Sequence, residues 1–126
     1  MAYYHSVVWI DHQKATTWQF TSTEQSSTVV HAHNQQRDAP RKSTHGGHAH
    51  PGDAKFFEDV AHALEGTHEV LIIGPAHTKQ EFAAYLKMKH PALGQGIVAV
   101  ENADHPTDGE VLAYARRHFK ALDRML

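Results

Sequence analysis

Five of the thirteen histidines in this 126-residue chain fall in or just before one short stretch: His31 and His33, then His45, His48 and His50. Imidazole is a good ligand for zinc, copper and nickel, and catalytic zinc sites commonly combine three protein ligands with a water. His31 and His33 are two apart, so on a strand both rings share a face. With His48 and His50 they form a candidate zinc or nickel site. The competing expectation is a histidine-rich loop that requires no cofactor. The same stretch holds Thr44-His45-Gly46-Gly47-His48. Adjacent glycines adopt φ > 0 readily and let one backbone approach another closely. An imidazole titrating near about 6.5 can hydrogen-bond water or act as a base. Arg37, Arg41 and Lys42, opposed within the stretch by Asp38 alone, favour phosphate-lined surroundings.

These groups sit on residues 34–52, nineteen residues without one large apolar side chain. Loops that long inside a compact domain are uncommon and are usually functional or disordered. The segment reads as a flexible loop whose middle reaches roughly 30 Å from its ends when extended. Before it, Val7-Val8-Trp9-Ile10 reads as a strand that turns at Asp11-His12-Gln13-Lys14. A second strand spans residues 15–20, with the Trp18 and Phe20 rings on one side. A third spans residues 26–33, with Val29, His31 and His33 on one face. Connections this short favour an antiparallel meander.

After the loop the apolar period becomes helical: Phe56, Phe57, Val60, Ala61 and Leu64 form one stripe that ends at Gly66. Val70-Leu71-Ile72-Ile73 is an unbroken apolar strand, as expected when both faces are covered. Thr78 and Glu81 have capping-box spacing and open a helix that carries Phe82, Tyr85 and Leu86 and stops near Pro91. Ile97-Val98-Ala99-Val100 reads as a second buried strand. Thr107 and Glu110 repeat the capping spacing before a last helix with Val111, Leu112, Ala115, Phe119 and Leu122 inward. The fold class is therefore α/β: a ribonuclease-H-like mixed sheet in the order βββ-loop-αβαβα, one domain over residues 1–126, with right-handed crossovers placing helices on the sheet.

Nucleases on such a sheet cluster carboxylates around two metal ions. Asp11 and Glu58 or Asp59 suit two of the positions, but Gly74-Pro75-Ala76-His77 at the end of the fourth strand offers no carboxylate. Asp11 then reads as a turn residue, and Glu58 and Asp59 as a solvated first helical turn that complements the helix dipole. His77, at the end of a buried strand, lies where α/β sheets tend to bind ligands. His62, His68, His90 and His118 read as surface or partly buried, satisfied groups.

The apolar fraction of 40% and the length permit a core without disulfides, and the chain has no cysteine. Twelve Lys and Arg against fourteen Asp and Glu give −2, and protonating every histidine would carry this to +11. Whole-chain charge at neutral pH thus makes no case for a nucleic-acid binder, and local patches must make it. One such patch is Arg116-Arg117-His118-Phe119-Lys120 with Arg124, a basic helix face able to rest on RNA phosphates. No apolar run approaches the roughly 20 residues of a membrane span. The N-terminus lacks a basic region ahead of a short apolar one, so a cytoplasmic protein is the default expectation.

The position of Thr44-His45-Gly46-Gly47-His48, after a three-stranded meander and before the first helix, resembles the Gly-Gly-Gln loop of the middle domain of archaeal and eukaryotic class-1 translation release factors. The run from Glu69 to Phe82 resembles that family's fourth strand, Gly-small-residue turn and following helix. Similar middle domains occur in Pelota-type ribosome-rescue factors and in stand-alone bacterial relatives labelled translational machinery proteins. The resemblance spans about His5 to Phe119. It implies a ribosome partner, with rRNA and peptidyl-tRNA in reach. It also implies a catalytic loop of Gly46, Gly47 and His48, in which the glycines enter the peptidyl-transferase centre and the third residue positions water against the peptidyl ester. This sequence carries His48 where the family carries glutamine, and Pelota-type factors also lack the glutamine. Arg37, Arg41, Lys42 and His45 become the RNA-binding candidates, and codon-independent rescue or peptidyl-tRNA hydrolysis the leading function. A histidine-rich metal-binding protein is the alternative, and a non-catalytic protein-interaction domain using a sheet edge or helices the second.

Overall fold

Strand β1 (His5–Ile10) is buried along its whole length, because its alternating side chains feed two separate cores. The computed structural model describes residues 5–20, 25–32 and 51–119, except the side chains of 51–53. Within them β1 is the centre of a five-stranded sheet ordered β3-β2-β1-β4-β5. Strand β2 (Lys14–Phe20) pairs with it antiparallel, and β3 (Gln25–His31) pairs antiparallel with β2. Strand β4 (Glu69–Gly74) lies parallel to β1 on the other side, and β5 (Ile97–Asn102) lies parallel to β4. The helices are α1 (Pro51–Ala63), α2 (Thr78–Lys89), α3 (Pro91–Gln95) and α4 (Asp108–His118). The mixed α/β sheet and its element order match the sequence reading apart from one added helix.

One face of the sheet packs Val8, Ile10, Val70 and Ile72 against Phe56, Phe57, Val60 and Leu64 of α1 and Phe82 and Leu86 of α2. The opposite face packs Val7, Trp9, Trp18, Phe20, Leu71 and Ile73 against Val111 and Ala115 of α4 and the following Phe119. The unbroken run in β4 is thus covered on both sides, as a central parallel strand requires. Among the described residues, no helix is long and apolar enough to cross a membrane.

Three expectations are corrected. Helix α1 begins at Pro51, inside the span read as loop, since proline's fixed φ and missing N–H suit a first helical turn. Helix α2 stops just before Pro91 as read, while Pro91 also starts the added α3, with His90 capping both. Strand β5 is an edge strand with a half-buried face and Val98 41% exposed, because an apolar run by itself does not distinguish a central strand from an edge. Thr78 is not a cap: His77 holds the N-cap position and makes no side-chain cap bond. The second capping box stands as read, with Thr107 Oγ1 accepting from the Glu110 N–H at 3.2 Å and Glu110 Oε1 accepting from the Thr107 N–H at 2.9 Å. Leu112 is half-buried on α4, whereas Leu122 lies outside the described residues.

Candidate functional site

The parallel strands β1, β4 and β5 end on one side of the sheet, the side on which ligands of open α/β sheets bind. Strand β3 also ends there, because two antiparallel pairings restore the direction of β1. Its last residue, His31, is opposite Lys14, and the Ala32 N–H donates to the Gln13 carbonyl at 2.8 Å. Helix α1 returns the chain to the start of β4 and so begins on that side as well. The described chain on either side of residues 33–50 is therefore anchored at the strand ends.

Among the described residues, three turns lie at this end. After β1, Asp11 Oδ1 accepts from the N–H groups of Gln13 at 2.8 Å and Lys14 at 2.9 Å, so Asp11 is the turn residue its sequence context implies. After β4, Gly74 passes so close to β1 that a Cβ there would lie 2.3 Å from the Ile10 carbonyl oxygen. His77 follows, exposed, with Nδ1 3.2 Å from Gln80 Oε1. Next to it Lys79 is only 3% exposed, and its ammonium donates to the Ala76 carbonyl. The sequence gives no warning of this buried lysine, since Lys79 sits beside polar Thr78 and Gln80. After β5, the Trp9 indole N–H donates to the Asp104 carbonyl at 2.7 Å and lies 3.3 Å from that of Ala103. Trp18 Nε1–H likewise donates to Asp108 Oδ1 at 3.1 Å. Two indoles thus tie the turn of residues 103–107 and the start of α4 to the sheet.

The nuclease carboxylates do not assemble. Glu58 lies in mid-helix, where its Oε1 accepts from the Tyr85 hydroxyl and lies 2.8 Å from His90 Nε2. Those two bonds hold its carboxyl below the ordinary 4.5. Burial and the same contact push the Tyr85 hydroxyl up to about 12. Asp59 bonds Lys55 at 3.1 Å. Among the described residues, no group of three or more His, Asp or Glu side chains is placed to hold a metal ion. Of the four candidate metal ligands, His31 is described and exposed at the end of β3. His33, His48 and His50 lie outside the described residues, as do Gly46, Gly47, Arg37, Arg41, Lys42 and His45.

A histidine that the sequence reading passed over sits at the opposite end of the sheet. His5 is 3% exposed, its ring centroid 4.7 Å from that of Phe119 and its Nε2 3.3 Å from Glu69 Oε1. Burial lowers its pKa from the ordinary 6.5, against the opposing pull of Glu69. The unfolded chain then binds this proton more readily than the folded one. Stability from His5 is therefore full above about 6.5 and falls as pH drops through the lowered folded value. Urea unfolding at stepped pH is expected to show this loss for the wild type and a flatter profile for His5→Phe; identical slopes would remove His5 as its source. The Glu58 contribution has the same sign but a lower window, beginning below 4.5.

No family model and no curated protein sequence matches the chain. Solved structures match its fold. Pelota from Archaeoglobus fulgidus superposes with a TM-score of 0.63 at 15% identity, over 99% of this chain and 33% of that one. Pelota from Thermoplasma acidophilum gives 0.65 at 15% identity, over 95% and 34%. An archaeal translation termination factor gives 0.53 at 14% identity, over 96% and 38%. The chain thus spans about a third of the length of the proteins it resembles, and what it shares with them is the fold.

Proposed function

We propose that this chain is a ribosome-associated, translation-factor-like domain that acts independently of codons, in ribosome rescue or peptidyl-tRNA hydrolysis, through the Gly46-Gly47-His48 loop. The supporting observation is the likeness in fold, over nearly the whole chain, to Pelota and an archaeal termination factor. The described residues on either side of 33–50, Ala32 and the start of α1, lie at the strand ends where open α/β sheets bind ligands, which agrees with it. In this reading Gly46 and Gly47 bring the backbone against the peptidyl-tRNA ester without a Cβ in the way. His48 accepts a proton from the attacking water as it adds to the ester carbonyl, and can return that proton to the departing ribose oxygen. Arg37, Arg41, Lys42 and His45 lie against rRNA phosphates, so binding weakens as salt rises.

Co-sedimentation with vacant and stalled ribosomes tests the binding. Salt-sensitive pelleting is expected, and no pelleting at low salt with any ribosomal state would sink the proposal. The chemistry has a separate test in peptidyl-tRNA release on stalled ribosomes. Removing a general base costs roughly a hundredfold or more in rate, so His48→Ala is expected to fall by that order, and Gly47→Ala to fall with it. Release unchanged by both substitutions would take the loop out of the reaction.

A further inference from the structure

Beside the turn that follows β5, α4 and residues 103–106 enclose an open groove of about 470 Å³. Its planar groups come in two pairs. His105, exposed, has its ring centroid 5.1 Å from that of Trp9, and the Arg117 guanidinium lies 5.0 Å over the Tyr114 ring. Proteins that bind unpaired nucleotides use such surfaces, since every base has a face that stacks on an aromatic ring or a guanidinium plane.

The charges discriminate further. Around the groove, Glu110 closes the capping box, Asp108 accepts from Trp18 and Glu101 lies 3.1 Å from His118. Asp104 and Arg117 both line the groove, yet no ion pair joins them to each other or to another described residue. A carboxylate accepts hydrogen bonds and can donate none at neutral pH, whereas a guanidinium only donates. A ligand filling both roles offers an N–H₂ group at one end and an anionic oxygen at the other. A nucleotide whose base carries an exocyclic amine does this, with the amine to Asp104 and the phosphate to Arg117.

We infer that this groove binds one unpaired nucleotide of single-stranded RNA, stacked between the His105 and Tyr114–Arg117 surfaces, and prefers an amine-bearing base to uracil. The inference rests on the ribosome reading for the class of partner, but uses a surface separate from the Gly46-Gly47-His48 loop.

Fluorescence anisotropy with short labelled oligoribonucleotides of cytidine, adenosine or uridine tests it in the full chain. Cytidine and adenosine oligomers are expected to bind roughly tenfold more tightly than uridine oligomers. Asp104→Asn is expected to erase most of that preference by exchanging an acceptor for a mixed donor and acceptor. Tyr114→Ala or Arg117→Gln is expected to weaken all three oligomers roughly tenfold, with circular dichroism confirming the fold. Arg117→Gln is solvent-exposed, so it tests the groove even where Tyr114→Ala disturbs packing. Equal binding of cytidine and uridine oligomers, or wild-type affinity in Arg117→Gln, would overturn the assignment. Ribosome pelleting without oligomer binding would remove the groove and leave the ribosome reading standing; oligomer binding with the expected preference but no pelleting would do the reverse.

Discussion

Gly74→Ala is expected to cost about 3 kcal/mol or more, at or beyond the upper end of ordinary overpacking penalties. The new Cβ would lie 2.3 Å from the carbonyl oxygen of Ile10, and both partners are backbone of adjacent parallel strands, so no rotamer change relieves the contact. The strands must separate, and the Gly74 carbonyl, which accepts from the Ala103 N–H at 2.9 Å, moves with them. The damage therefore falls on the ends of β1, β4 and β5 together, where the chain leading into residues 33–50 is anchored. For a domain of this size the loss corresponds to a melting temperature lower by roughly 10 °C. Gly109→Ala is the matched control. Its Cβ would meet only Thr107 Oγ1 at 3.9 Å, and alanine in a helix is favoured over glycine by up to about 1 kcal/mol. Thermal unfolding of both variants should move in opposite directions; a Gly74→Ala protein as stable as wild type would mean that β1 and β4 can spread freely at this end.

The contrast between these two glycines shows where sequence reading succeeds and where it stops. The stripe Phe56, Phe57, Val60, Ala61 and Leu64 specifies both a helix and its buried face, because each element has its own period, and all five are buried. The Trp18–Phe20 spacing likewise assigns both rings to one core. What period cannot carry is the identity of a neighbour. Val98 stands in an apolar run like that of β4, yet it is exposed, β5 being the edge strand of the sheet among the described residues. Lys79 and His5 are polar in sequence and buried in space; His5 is covered by Phe119 and Glu69, far away in the chain. Thr78 and Thr107 have the same capping spacing, but only Thr107 takes the extended backbone that a capping side chain requires, with φ −75° and ψ 167°. As for the candidate site, the place of the glycine loop between the meander and the first helix was legible from element order alone. The groove at Arg117 was legible only in part, as a basic helix face, because its other wall, residues 103–106, is tethered by Trp9, in a strand 108 positions before Arg117.

Trp9 is where fold and site are most tightly joined, and Trp9→Ala is expected to cost about 3–5 kcal/mol. The ring is 3% exposed in the core under α4, and its indole N–H ties the 103–104 carbonyls to the sheet. Trp9→Phe separates the two contributions. It keeps most of the buried ring but removes the donor, so a loss near 1 kcal/mol is expected, the net worth of a typical hydrogen bond. The turn of residues 103–107 also sets the start of α4 through Thr107, so losing this tether acts on both walls of the groove. Trp9→Phe is therefore expected to weaken oligoribonucleotide binding by more than its stability loss alone would predict, under conditions where the variant remains fully folded. Urea unfolding gives the first quantity and anisotropy the second. If Trp9→Phe binds RNA with wild-type affinity while losing about 1 kcal/mol of stability, the indole tether serves the fold alone and the groove is shaped by α4 without it.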